Sequence, residues 1–419
     1  MNFKYISSTP SLGGRIKQIA NDFVVSEIGS DYATSVKYIP DKKVEEIDWT
    51  SIFNNKPEGK DYLILDMEKN NLATTTAISQ TSRFLQLSRK RISYAGLKDK
   101  RALTSQRISL FEPNQERLAK FYFKNIKVYN PFWSDQRVDI GNLKENNFVI
   151  TIRQIKDKTK EEIKEIIENT FKEVQEKGLI NYFGEQRFGG AREVTHKVGK
   201  LLIKKRYKEA VMMYLTETSD LETDEVKEAR KQLKEDLNFR KHAANFPTRT
   251  GYESAILNYL ANNPEDYLGS FKILPKSIQY LFTHAYQSYM FNELINLRIE
   301  KGLGLDVIEG DHIINNEVYL PLFGFESKLS DGRAGELEKQ VLDKEKINFK
   351  HFHNSEYSVV SSKGEWRKLK TSIHNLKLLS IEEDDMNEDM MKAIVSFTLD
   401  KGQYATVFLR EIIKKEIIG

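Results

Sequence analysis

The chain has 419 residues, 39% hydrophobic and 30% charged, with a formal net charge of +4 and no cysteine. That length suggests two domains rather than one simple core, and 23 Phe with 19 Tyr give it the apolar content that a disordered chain lacks. Disulfides, thiolate catalysis and cysteine metal sites are excluded; a nucleic-acid partner is permitted, since clustering of charge matters more than its total.

In chain order, Gly13-Gly14-Arg15 leads into an alternating stretch from Phe23 to Ile28 that predicts a strand. Residues 36–60 are polar and charged, a surface excursion. Asp61 to Glu68 reads as a buried strand, and a helix follows from about Asn71, with Ile78, Phe84, Leu85 and Leu87 on a helical period. Gln106 to Leu110 and Phe148 to Arg153 read as strands. Lys158 to Lys177 is an amphipathic helix carrying Ile163, Ile166, Ile167, Phe171 and Val174. From Arg192 to about Lys301 helical periods dominate, and the charged run Asp220 to Arg240 predicts a solvated helix or connection. Strand signals return at Asp311 to Ile314 and Glu317 to Leu320. A last strand, Ala393 to Leu399, passes through Gly402 into a closing helix. A β-rich first half, a helical middle and a returning strand predict an α+β protein with one domain inserted into another. No apolar run of signal-peptide or membrane-spanning length occurs, so a cytoplasmic protein without membrane contact is expected.

Two segments carry chemistry. Tyr94-Ala95-Gly96-Leu97-Lys98-Asp99-Lys100-Arg101-Ala102 sets one carboxylate, Asp99, among two lysines and an arginine. Nearby cations favour the charged form of a carboxylate and attract a polyanion, the setting an aspartate nucleophile on RNA needs. Taken alone, such a stretch is a solvated turn. Asn181-Tyr182-Phe183-Gly184-Glu185-Gln186-Arg187-Phe188-Gly189 offers rings to stack on a base and amides to bond its edge. Its plain alternative is a strand end whose aromatics belong to the core.

Together these segments resemble the TruD family of tRNA pseudouridine synthases. The likeness continues through Asp22-Phe23-Val24-Val25-Ser26-Glu27 and through Gly141 to Phe148, where Glu145 stands at a position more usually glycine. Val194 to Gly199, His284 to Tyr289, Leu329 to Gly332 and Ser361 to Gly364 are similar to segments of its archaeal and eukaryotic branch, and Phe397 to Val407 completes the order. The resemblance implies a pseudouridine-synthase catalytic domain of mixed sheet and helices at 1–204 and 371–419, interrupted by a largely α-helical TRUD insertion at 205–370.

The resemblance also implies the chemistry. A uridine's glycosidic bond breaks, the uracil turns, and a carbon–carbon bond replaces it, with no redox step, no cofactor and no metal. The sequence holds no P-loop, no dinucleotide fingerprint and no evident cluster of metal ligands. Asp99 is the implied catalytic carboxylate, acting at the ribose by attack on C1′ or by removing the C2′ proton; the residues leave both routes open. Phe183 stacks on the flipped uracil and Asn181 orients Asp99. Lys98 steadies its charge or touches phosphate, while Phe23 and Glu27 line the cleft. Arg89, Lys90, Arg91 and Lys100 are RNA-binding candidates, with weaker ones at Lys204 to Arg206 and at Lys363 with Arg367. The expected partner is tRNA, with other RNAs possible, and the expected target is the uridine at tRNA position 13. The expected state is a monomer. Two other classes stay in view. A non-catalytic RNA-binding protein would use the same cleft, and an aspartate-dependent hydrolase would need a second carboxylate or metal ligands.

Overall fold

The computed structural model describes residues 3–37, 47–247 and 250–414. Part of the charged excursion at 36–60 lies outside these residues; its described end forms the helix Trp49–Asn54. Thirteen strands occur among the described residues. They are β1 (Phe23–Gly29), β2 (Tyr62–Asn70), β3 (Ile92–Tyr94), β4 (Leu103–Phe111), β5 (Ile126–Ser134), β6 (Leu143–Ile155), β7 (Leu179–Ile180), β8 (His312–Ile314), β9 (Glu317–Leu322), β10 (Glu365–Lys368), β11 (Lys370–Thr371), β12 (His374–Glu383) and β13 (Met391–Asp400). Tertiary contacts divide the chain into two units. One comprises 6–179 with the segment from 372, the other 3–5 with 180–371.

The first unit is built on an eight-stranded mixed sheet in the order β12-β13-β6-β1-β4-β2-β5, with β3 paired to β4. Only β1 and β4 run parallel, because the intervening chain makes a long crossover through β2 and the helix Thr74–Leu85. Phe148 of β6 lies opposite Phe397 of β13, and their rings stack at 5.2 Å. Leu63, Leu65, Met67, Ile108 and Leu110 pack with Ala77, Ile78 and Leu85 of the helix into one core.

The helix Lys160–Lys177 starts where the sequence provides a capping box. The Thr159 hydroxyl accepts from the Glu162 amide, and the Glu162 carboxylate accepts from the Thr159 amide. The helix buries the five apolar residues that the pattern picked out and ends at Gly178.

The second unit is largely helical, with the small sheet β10-β9-β8. Its core joins Val198, Leu202, Val211, Leu215, Leu257, Phe271 and Phe282 from five helices. The run Asp220 to Arg240 contains the largely exposed helix expected, Asp224–Asp236, which buries only Val226, Arg230 and Leu233. Arg230, on the helix Asp224–Asp236, is 1% exposed. It pairs with Glu222 at 3.0 Å and Glu253 at 3.1 Å and donates to the Leu215 carbonyl at 2.8 Å. A buried guanidinium needs such a full set of acceptors, and composition alone could not supply that information.

Candidate active site

Asp99 lies on the connection between β3 and β4, which pair antiparallel from Tyr94–Ile108 to Ile92–Leu110. The sequence pattern showed β4 but not the three-residue β3, so the loop is a hairpin turn rather than a helix-to-strand link. Three side chains and one main-chain amide fix its main chain. Gln106 Nε2 donates to the Gly96 carbonyl at 3.0 Å. The Thr74 hydroxyl donates to Gln106 Oε1 at 3.1 Å and accepts from the Lys98 amide at 3.0 Å. Lys69 Nζ donates to the Asp99 carbonyl at 2.7 Å. The Asn71 amide donates to the Ala102 carbonyl at 3.0 Å.

Three ammonium groups surround the aspartate. Lys17 Nζ is 3.8 Å from Asp99 Oδ1 and sits over the Phe23 ring, 4.1 Å from its centroid. Lys98 Nζ pairs with Glu27 Oε2 at 2.8 Å and donates to Asn146 Oδ1 at 2.7 Å. The Lys17, Lys69 and Lys98 side chains are buried, whereas the Asp99 side chain is 34% exposed. Burial pushes the Lys69 ammonium down to about 8, against the pull of the Asp99 charge. Burial lowers Lys17 too, again opposed by Asp99, and it lowers Lys98, opposed by Glu27. The result is a partly open carboxylate on a braced turn, with buried positive charge beneath it.

Glu27 and Phe23 take buried positions on β1. Glu27 is fully buried; its Oε1 accepts from the Tyr32 hydroxyl at 2.7 Å and the Arg107 amide at 3.2 Å. Burial, together with the Glu27 charge, raises the Tyr32 hydroxyl pKa. Phe23 is 1% exposed and packs edge-on against Phe148. Lys98 thus points its charge to Glu27. Lys100, Arg89 and Lys90 are exposed. Arg89, Lys90 and Arg91 form a short 3-10 turn beyond the helix Thr74–Leu85, and Arg91 bonds the Phe111 and Glu112 carbonyls at 3.0 and 2.8 Å.

Lys17 and Lys69 escaped sequence reasoning. Lys69 carried the one available signal, a lysine directly after the stretch that reads as a buried strand, and β2 extends through it.

Asn181 and Phe183 belong to the second unit. Asn181 Nδ2 donates to the Lys368 carbonyl at 3.0 Å, and its Oδ1 accepts from Arg367 Nη2 at 2.5 Å. The Arg367 guanidinium lies 4.1 Å from the Phe183 ring centroid. Asn292 holds the Phe183 main chain from both sides, accepting from its amide at 3.0 Å and donating to its carbonyl at 2.9 Å. Phe291 meets Phe183 edge-on. Phe188 is fully buried against His196, so its ring belongs to the core.

The motifs at 194–199 and 284–289 meet each other. His196 stacks on Tyr289 with centroids 4.7 Å apart, and burial pushes its imidazole down to about 3, which keeps it neutral. A Cβ at Gly199 would stand 2.0 Å from the Phe282 carbonyl oxygen, so only glycine lets the helices Thr195–Ile203 and Lys276–Glu300 approach this closely. Both motifs are framework. A cluster unseen in the sequence joins Glu145, His374 and Asp400, whose ligand-capable atoms lie within 4.8 Å of one another. Glu145 faces Asp400 across β6 and β13. Strand pairing unites residues that are far apart in the chain.

The family model described as tRNA pseudouridine synthase D (TruD) matches residues 2–319 and 315–412. A relative from Methanosarcina acetivorans, named probable tRNA pseudouridine synthase D, is 35% identical over 98% of this chain and 95% of its own. Another so named, from Methanocaldococcus jannaschii, is 32% identical over 99% and 98%. The crystal structure of a putative tRNA pseudouridine synthase D from Methanosarcina mazei superposes with a TM-score of 0.77 at 32% identity, covering 99% of this chain and 96% of that one.

Proposed function

Because the chain belongs to the TruD family of tRNA pseudouridine synthases, we propose that it isomerises uridine to pseudouridine in tRNA, at position 13, with Asp99 as the catalytic carboxylate. The observation that carries this reading is the bracing of Asp99. A catalytic carboxylate must be reachable by substrate and held in one geometry. Asp99 is partly exposed, while its own carbonyl, the Gly96 carbonyl and the Lys98 amide are bonded to buried side chains.

The reaction moves no electrons to or from an acceptor. The N1–C1′ bond breaks, C5 of the uracil bonds to C1′, the proton on C5 leaves and N1 gains one. Asp99 acts at the ribose, either as nucleophile at C1′ or as base at C2′. The lysines beneath it set buried positive charge beside the carboxylate. Lys98 and Glu27 act as a buried pair that supports the turn, with Phe23 under Lys17. Phe183 is the proposed stacking partner of the flipped uracil, a contact worth about 1–3 kcal/mol. Arg367 holds both Phe183 and Asn181, and Asn181 is a proposed substrate contact. Arg89, Lys90 and Lys100 are proposed phosphate contacts. The insertion expected at 205–370 falls within the unit 180–371, to which we assign the grip on RNA.

No helix among the described residues is long and apolar enough to cross a membrane. Cytoplasmic residence and a monomeric state complete the proposal. Mapping pseudouridine in an unmodified tRNA transcript tests it: a single product at position 13 is expected. A product at another position would refute the assigned target, and no product with any tRNA would refute the activity.

A further inference from the structure

Two sequence motifs not used by the catalytic reading, Leu329 to Gly332 and Ser361 to Gly364, come together in the second unit. They line a cavity of about 460 Å³ together with His312 and Trp366, inside the range of small-ligand sites. The two loops are fastened main chain to main chain. The Phe325 amide donates to the Ser362 carbonyl at 2.9 Å, and the Glu326 amide to the Lys363 carbonyl at 3.1 Å. Gly324 approaches Gly364 so closely that a Cβ on it would stand 2.0 Å from the Gly364 nitrogen. A Cβ on Gly310 would likewise stand 1.8 Å from the Asp331 carbonyl oxygen. The walls are therefore preformed.

One wall is aromatic. His312 of β8 and Trp366 of β10 stack with centroids 4.2 Å apart and planes 23° from parallel, and Trp366 is 42% exposed. An indole held flat and left open on this scale is a platform onto which another planar ring can stack. Lys328 and Lys363 stand exposed at the rim. Four carboxylates line the cavity: Asp311 is taken by Arg298 at 2.7 Å and Glu326 by Lys363 at 3.1 Å, and Asp331 and Glu365 complete the set. Successive residues of a strand face opposite ways. Trp366 turns to this cavity, while its neighbour Arg367 turns to Phe183. The strand β10 thus carries the cavity's platform and the brace of the proposed substrate-stacking ring.

We propose that this cavity receives an unstacked nucleotide of the RNA substrate, its base on Trp366 and its phosphate on Lys328 and Lys363. The inference rests on the reading of this chain as a tRNA-modifying enzyme. The same chemistry would suit a free nucleotide, and the test separates the two sources.

The test uses the full chain and an unmodified tRNA transcript, and it measures Kd, kcat and KM for pseudouridine formation. Trp366→Ala is expected to raise Kd and KM about five- to 100-fold, whereas Trp366→Phe, which keeps a stacking ring, stays within a fewfold of wild type. The Lys328→Glu and Lys363→Glu variants change only exposed side chains, so folding is not in question. They are expected to weaken tRNA binding and to flatten its salt dependence. Unchanged tRNA affinity in Trp366→Ala and in both lysine variants would overturn the proposal. So would AMP or GMP binding alone at micromolar concentration with tRNA affinity indifferent to Trp366. If wild type binds tRNA and makes no pseudouridine while Trp366→Ala binds more weakly, the catalytic reading fails and the cavity assignment stands.

Discussion

Lys69 reaches from β2 to donate to the main-chain carbonyl of Asp99 at 2.7 Å. The contact binds the catalytic candidate through its backbone and leaves its carboxylate free for chemistry, and it places a buried positive charge next to that carboxylate. Lys69 is fully buried, and burial sets its proton affinity near pH 8. The turn's support is therefore itself titratable.

Activity should fall as pH rises through about 8, as Lys69 loses its charge. Lys69→Arg, which stays protonated, should remove that limb from the single-turnover pH profile. Stability should move the opposite way. Lys69 titrates near 8 when folded and near 10.5 when unfolded, so between these values the unfolded chain binds more protons and folding stability rises with pH. The whole effect is on the order of 3 kcal/mol, complete by about pH 10.5 and absent below 8. Urea melts of wild type and Lys69→Met across this window check it; the variant should lack the rise.

The Glu27–Lys98 pair is buried at both ends, and removing one charge strands the other. Glu27→Leu or Lys98→Met alone should cost about 3–5 kcal/mol. The double variant should cost clearly less than the sum, because neither charge remains. A double-mutant cycle by denaturant unfolding reads this directly.

Arg367 sits over Phe183 and bonds Asn181, and a lysine lacks the planar, forked guanidinium. Arg367→Lys should lower kcat/KM about tenfold or more, with melting temperature changed little. Phe183→Leu should cost a similar factor by removing the ring, on the order of 1–3 kcal/mol of stacking.

Gly199→Ala should destabilise the second unit by about 1–3 kcal/mol through overpacking, since its Cβ meets main chain that cannot swing aside. Thermal melting shows the loss. An unchanged melt would mean the two helices separate freely.

Local pattern revealed much of this fold. β1, β6 and β13 alternate with one face in the core, and the helix Lys160–Lys177 carries its own cap and apolar stripe. β12 could not be read this way, because it is an edge strand with no fully buried residue, so its sequence has no reason to alternate. β3 and β10 are too short to show a period.

The candidate Asp99 stands out in the sequence by the dense motif around it, whereas Lys17 and Lys69 become its neighbours only through folding. Lys98 illustrates the limit of reading charge from sequence. Its ammonium looked available to phosphate, yet it points to Glu27, a partner 71 positions earlier. Phe188 and Phe183 are both buried, and their neighbours separate them: one is sealed against His196, the other lies under a guanidinium.

The central claim is that Asp99 performs the chemistry, and its most direct test is single-turnover pseudouridine formation in a tRNA transcript by wild type and Asp99→Asn. The substitution keeps the side chain's size and leaves untouched the main-chain bond from Lys69. The account predicts site-specific pseudouridine with wild type, none with Asp99→Asn, and tRNA affinity within a fewfold for the two proteins. Product from Asp99→Asn at a rate near wild type would contradict it and move the catalytic role to another residue.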